Sequence, residues 1–207
     1  MNIYVETNFV LELVFQQEQY QSCQDILELS QAGKVNLVTP AYSLIEPQEK
    51  LTRQAQQRKK LNQELSQELA QLIRTDSYRS YAEQIESLKS LVIQSIDAEQ
   101  ERFIQYREQL LKTAEIIPLT SEILEQGASY EEIYHLGGQD AIVLASVLSH
   151  LQDNNSDSAC FLNRNSRDFN QPDIKEFLDF YQCKLITTFP NGLDFVKSQL
   201  AKNNLKE

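Results

Sequence analysis

An apolar run at Ile3-Tyr4-Val5 stops abruptly against Glu6-Thr7-Asn8, and an apolar helical pattern follows at once through Phe9, Val10, Leu13 and Val14. This predicts a buried strand that delivers Glu6 to its C-terminal tip, with Thr7 or Asn8 capping the next helix. In open parallel sheets, ligands bind beyond the carboxyl ends of the strands, so an acid there is placed for chemistry. The plain alternative leaves Glu6 a solvated loop residue and Asn8 only a cap.

The rest of the chain alternates in the same way. Helices are expected over 8–15 and 20–32, a strand at 35–38, and a helix from about Ala41 that tolerates Pro47 in its opening turn. Residues 50–112 lack glycine and proline and repeat Leu61, Leu65, Leu69 and Leu72, then Ile85, Leu88, Val92, Ile96, Phe103 and Leu110. That pattern predicts a long antiparallel helical hairpin with one apolar stripe and a turn at Arg74–Ser77. A strand at Glu115–Leu119 follows, then a helix from Thr120 or Ser121 to about Leu136, ended by Gly137-Gly138. A buried apolar helix at 139–148, a polar loop at 153–158 and a buried strand at 159–162 come next. A helix near 172–181, a strand at 184–187 and a helix near 192–201 complete a β-α-β order that suits a parallel sheet.

The 207 residues suffice for one α/β domain with an insertion, 1–207 with the hairpin at 50–112. No apolar run approaches ~18 residues, so no membrane span is expected, and the N-terminus does not read as a signal peptide. Cys23, Cys160 and Cys183 are widely spaced and odd in number, which suits core residues of a reducing, cytoplasmic location. His135 and His150 lie at expected helix ends, where a C-terminal capping role outweighs a metal-binding one. The net charge of −11 is awkward for a nucleic-acid binder. It is unevenly spread, however. Residues 50–112 carry 11 Lys+Arg against 9 Asp+Glu, and the remainder 8 against 21. Arg53, Arg58, Lys59 and Lys60 form a basic run, either a solvated helix face or a phosphate-contacting arm.

Four acids sit at the edges of apolar elements: Glu6 after the first strand, Glu46 in the first turns after the second, Asp140 opening the buried helix, and Asp168 after the strand at 159–162. In a parallel sheet all four share the carboxyl edge. Gathered carboxylates repel one another unless a divalent cation holds them, and an oxygen-only set favours Mg²⁺ or Mn²⁺. Asp140 also has a structural alternative, as a helix N-cap.

Glu6-Thr7-Asn8, Ser43-Leu-Ile-Glu46, Asp140-Ala-Ile-Val-Leu-Ala145 and Phe161-Leu-Asn-Arg-Asn-Ser-Arg-Asp168-Phe169 together resemble the motifs of PIN-domain ribonucleases, the fold that includes the VapC-type toxins. The resemblance covers roughly 1–48 and 115–190 and implies a three-layer α/β/α sandwich around a parallel sheet. It implies that Glu6, Glu46, Asp140 and Asp168 hold the metal and carry catalysis. Thr7 or Asn8 would support the first acid, Ser43 belongs to the second motif, and Asn163 takes the place of a hydroxyl residue. Asn165 occupies an alternative position for the fourth acid. Glu6 stands where the family usually has Asp, one methylene further out.

The function implied is a metal-dependent endoribonuclease acting on RNA phosphodiesters, with Arg53, Arg58, Lys59, Lys60, Arg164 and Arg167 along the RNA backbone. A toxin role would add a small antitoxin as partner, and dimers are common in the resembling family. The alternative, prompted by Glu6 and the acidic charge, is a catalytically silent module that binds RNA or a protein through the hairpin.

Overall fold

The computed structural model describes residues 1–79, 81–154 and 158–204; the side chains at 82, 83, 166, 167, 203 and 204 fall outside that description. Five strands form one parallel sheet: β1 (Asn2–Val5), β2 (Asn36–Pro40), β3 (Glu115–Ile117), β4 (Ala159–Leu162) and β5 (Cys183–Ile186), in the order β3-β2-β1-β4-β5. The first strand is therefore the central one. Ile3 lies beside Leu37 and Cys160, and Tyr4 beside Val38 and Phe161. Alternate residues feed two separate cores: Ile3, Val5, Cys160 and Leu162 on one face, Tyr4, Val38, Ala159 and Phe161 on the other. Burial on both faces is what near-continuous apolar strands require.

Helices α1 (Thr7–Phe15) and α2 (Tyr20–Gln31) cover the Ile3 face. A 3-10 turn at Ala41–Leu44 then leads into α3 (Glu46–Leu72), which returns through a single turn, α4 (Asp76–Arg79), and α5 (Ala82–Thr113). Helices α6 (Ser121–Tyr134) and α7 (Gly138–Asp153) cover the Tyr4 face. After a short α8 (Ser166–Phe169), α9 (Pro172–Phe180) joins that face and α10 (Phe189–Asn204) returns to the Ile3 face. The α/β/α sandwich with an inserted helical hairpin is the expected architecture. Among the described residues, no helix is long and apolar enough to cross a membrane.

Several local expectations are corrected. Thr7 and Asn8 do not cap α1; Glu6 does, its side chain accepting the Asn8 N–H. The helix after β2 starts at Glu46 rather than Ala41, with Pro47 in its first turn. There the missing N–H has no intrahelical partner to lose. Helix α6 ends at His135, held in the left-handed region at φ 53°, and Gly137 instead starts α7. His150 caps nothing. It is buried inside α7, where Tyr4 Oη lies 2.8 Å from Nδ1 and Glu115 Oε1 lies 3.0 Å from Nε2. The three cysteines are free and buried. Of the polar loop expected at 153–158, residues 155–157 lie outside the described residues.

The hairpin is longer and less buried than its periodicity predicts. Its first arm begins at Glu46 rather than 50 and ends at Leu72, and the second starts at Ala82, with α4 and residue 80, which lies outside the described residues, between them. Near the body the two arms pack well: Leu51, Phe103, Tyr106 and Leu110 belong to the core of the Ile3 face. Arg58 pairs with Glu99 at 2.7 Å, and Arg102 Nε donates to the Val14 carbonyl at the end of α1. Further out, Leu61, Leu65, Leu72 and Leu88 are exposed. Leu69, on α3, is nevertheless buried, so the outer stripe is covered only in part. Phe103→Ala is expected to cost about 3–5 kcal/mol in urea unfolding. Leu88→Ala, 62 % exposed, should stay within about 0.5 kcal/mol of wild type.

Candidate functional site

The chain leaves β1 for β2 and β3 on one side and resumes with β4 and β5 on the other, so the strand order reverses between β1 and β4. A crevice opens at such a switch point, beyond the carboxyl ends of the strands. Glu6 follows β1 and the segment 163–168 follows β4. They meet across a cleft of about 310 Å³ whose walls include Glu6, Glu46, Asp140 and Asn165.

Glu6 is only 5 % exposed. Its Oε2 accepts the Asn8 N–H at 2.9 Å, while Oε1 is buried with no hydrogen-bond partner. The Thr7 hydroxyl donates to Glu46 Oε2, so Thr7 supports the second acid and not the first. Glu46 opens α3, where the helix dipole favours a negative charge. Ser43, in the 3-10 turn before it, is fully buried with its hydroxyl unpartnered.

Asp140 lies in the first turn of α7, but Gly137 holds the N-cap position and Asp140 caps nothing. The capping explanation for this acid therefore falls. Its Oδ2 instead accepts from the Asn165 amide at 2.9 Å, and the same amide donates to Asp168 Oδ2 at 2.5 Å. Asp168 does not line the cleft; it reaches the site through Asn165 and Asp140. Asn163 is buried beneath this loop, its Oδ1 accepting the Asn165 N–H at 2.6 Å. Asn165 is thus the link between the two aspartates rather than an alternative to one of them.

The six basic residues proposed from the sequence do not act alike. Arg53 lines the cleft, joined by Lys50 one turn before it on α3. Lys59 and Lys60 are exposed further along the same helix. Arg58 is committed to Glu99, and Arg164 to Glu12, a residue 1 % exposed in the middle of α1. The side chain of Arg167 lies outside the described residues. Glu12 was missed in the sequence, although an acid inside the apolar run Phe9–Phe15 is the signal that could have found it. The same holds for Lys50 at helical spacing from Glu46.

Burial, reinforced by Asp140 and Glu46 nearby, pushes the Glu6 carboxyl up to about 8. Burial, with Asp168 and Glu46 beside it, pushes Asp140 up to about 6. The donors are all oxygen, several are mutually repulsive carboxylates, and one buried carboxylate oxygen has no partner. That chemistry fits a hard divalent cation. Among the described residues, no group of three His, Cys, Asp or Glu side chains converges as a ready cation site. The fit is one of donor type, with the acids ringing a cleft. Because both carboxyls titrate above their ordinary values of 4.5 and 3.8, the folded chain binds their protons more tightly than the unfolded chain does. Their contribution to stability is complete below those ordinary values and is lost as pH rises through about 6 for Asp140 and about 8 for Glu6. Without divalent ions, the melting temperature should therefore fall between about pH 5 and about pH 8.5. Glu6→Gln should melt above wild type at the upper pH and close to it at the lower, as differential scanning calorimetry would read.

With this geometry in place, comparison with known proteins is informative. A PIN-domain family model matches residues 3–169, a span that contains every acid of the cleft. No curated protein matches the chain. Among solved structures, the chain is similar to one in the crystal structure of VapBC2 from Rickettsia felis bound to a DNA fragment from their promoter. The two are 11 % identical, with a TM-score of 0.47, over 90 % of this chain and 98 % of that one. The extent of the family match places this chain in the PIN-domain family.

Proposed function

We propose that this PIN-domain chain is a divalent-cation-dependent endoribonuclease, with Glu6, Glu46, Asp140 and Asp168 as its acidic centre. The observation that carries the reading is the unpartnered, buried Oε1 of Glu6 in a cleft shared with Glu46 and Asp140. An orphaned carboxylate oxygen beside two further acids is costly unless something of opposite charge meets it.

Glu6, Glu46 and Asp140 would hold Mg²⁺ or Mn²⁺, with Asp168 completing the set through Asn165. Such an ion, when bound, makes water a better nucleophile and stabilises charge on a phosphodiester. The chain's own residues do the remaining work. The Asn8 N–H holds Oε2 of Glu6, so Oε1 is the atom that would carry this carboxyl's proton and would give it up to a bound cation. The Thr7 hydroxyl fixes Glu46, and the Asn165 amide fixes Asp140 against Asp168. Lys50 and Arg53, at i+4 and i+7 from Glu46, share its helix face and would meet the phosphates flanking the scissile one, with Lys60 two turns further on. Arg58 and Arg164 drop out of this role because each is held by a nearly buried acid, whereas Lys60 meets only the exposed Glu64 at 3.8 Å.

A toxin role, with an antitoxin closing the acidic cleft, is the physiological setting we infer for such an enzyme. A catalytically silent module is the second reading. The absence of a convergent three-acid group among the described residues favours it. Deleting 55–108 cannot separate the two, because it removes Phe103 and Tyr106 from the core.

Calorimetric titration of wild type and Asp140→Asn with Mn²⁺ and Mg²⁺ does separate them. On the nuclease reading, wild type binds at micromolar to sub-millimolar concentration, and Asp140→Asn loses both binding and cleavage of single-stranded RNA. Its melting temperature stays at or above wild type, since the substituted carboxyl caps no helix. Wild type that binds neither ion overturns the nuclease reading in favour of the silent module.

A further inference from the structure

Arg164 carries a feature that the acidic centre alone does not explain. It follows β4 between Asn163 and Asn165, at the edge of the cleft, where an exposed arginine would suit phosphate. Its guanidinium turns instead onto Glu12, which is fully enclosed by the core of the Ile3 face. Glu12 is held at its other oxygen too: Oε1 accepts the Gln19 N–H at 2.5 Å, and the Gln19 side-chain oxygen accepts the Phe189 N–H at 2.8 Å. One buried carboxylate thus ties together α1, the turn before α2, the start of α10 and the loop after β4.

An ion pair with one buried member is weak evidence for stability, because enclosing the Glu12 carboxylate offsets much of its attraction to the partly exposed Arg164. Its sequence partners are 152 residues apart. The neighbours of Arg164 suggest what the pair is for. Asn163 is anchored below, its N–H on the Ile186 carbonyl at 3.1 Å and its Oδ1 on the Asn165 N–H. Arg164 anchors the next residue to α1. Between these two anchors and α8 lies Asn165, whose side-chain amide spans Asp140 and Asp168.

We propose that Glu12 and Arg164 are positioning residues of the acidic centre, the ion pair locking the loop after β4 so that Asn165 bridges Asp140 and Asp168. The pair touches neither the cation nor the substrate. It acts through the direction of one side-chain amide. The proposal rests on the reading of the cleft as a cation site, and the test separates the two.

The full-length chain is examined by NMR, the Asn165 side-chain amide being assigned by its disappearance in Asn165→Ala, and by Mn²⁺ titration. Arg164→Met leaves Glu12 buried and unpaired, and unfolding of that variant is a known consequence of such a change. Glu12→Met/Arg164→Met removes both charges together, and Arg164→Lys keeps a cation at Glu12, so both keep the test open. In whichever of Arg164→Met and Glu12→Met/Arg164→Met folds, the Asn165 amide protons should move towards free-amide positions and exchange at least ten times faster, while Arg164→Lys, which keeps the pair, should hold them near their wild-type positions. Where the amide moves, Mn²⁺ affinity should fall about tenfold. Adding Asn165→Ala to the folded variant should cause no further loss, because both changes act through the same amide. A purely structural pair would leave the amide and the Mn²⁺ affinity at wild type once folding is retained, and either result overturns the proposal. Wild type that binds no Mn²⁺ overturns the cation reading, and the Asn165 amide still decides whether the pair holds the loop.

Discussion

A carboxylate that cannot retreat into water is the constraint from which the cleft follows. β1 is the central strand, covered on both faces, and Glu6 is its next residue. One oxygen of Glu6 holds the first turn of α1, which fixes the side chain where the strand order reverses. Among the described residues, the other has no hydrogen-bond partner. Placing Glu46 and Asp140 around it makes the local field more negative still, against the ordinary tendency of buried groups to find a partner. Such an arrangement persists in a folded protein when the rest of the fold outweighs its cost. Here two separate apolar cores, one on each side of the sheet, supply that stability.

The insertion belongs to this arrangement and is not an addition to it. Glu46 and the cleft-lining Lys50 and Arg53 stand on the helix that continues into the outer hairpin. The opposite face of that helix packs Leu51 into the core and sets Arg58 against Glu99 of α5. The cations of this helix are thereby placed differently: Arg58 is held by Glu99 of α5, whereas Lys50, over the Phe15 ring, and Arg53 line the cleft. A strongly acidic chain presents a local positive edge beside its most negative site.

Much of this was readable from residue order alone, for a physical reason. Glu6, Glu46 and Asp140 each interrupt or open an apolar periodic segment, so their positions at element ends follow from the pattern itself. The residues that organise them are different in kind. Asn165 lies in a polar stretch without period, and only the folded loop shows its amide reaching two aspartates. Arg164 looked like a nucleic-acid contact because its partner is distant in sequence and enclosed by apolar neighbours. Thr7 sits next to Glu6 in the chain, yet its hydroxyl meets Glu46, because the start of α3 is folded against it. In the hairpin the error ran the other way. Leu61, Leu65 and Leu88 keep the helical period, but period alone does not provide a layer to pack against.

Helix α3 runs for 27 residues without a break, about 40 Å at the rise of an α-helix. Its first residue is Glu46, and its far end stands clear of the sheet. The helix is therefore a lever with its short end in the cleft. A tilt of roughly 5° about the Glu46 end displaces the far end by about 3–4 Å at that length. The Arg58–Glu99 bridge and the reciprocal amide pair of Gln48 and Gln100, each 3.3 Å long, tie the lever to α5 near its fulcrum. Anything that grips the outer hairpin therefore takes hold of the same helix that begins with the second carboxylate of the site.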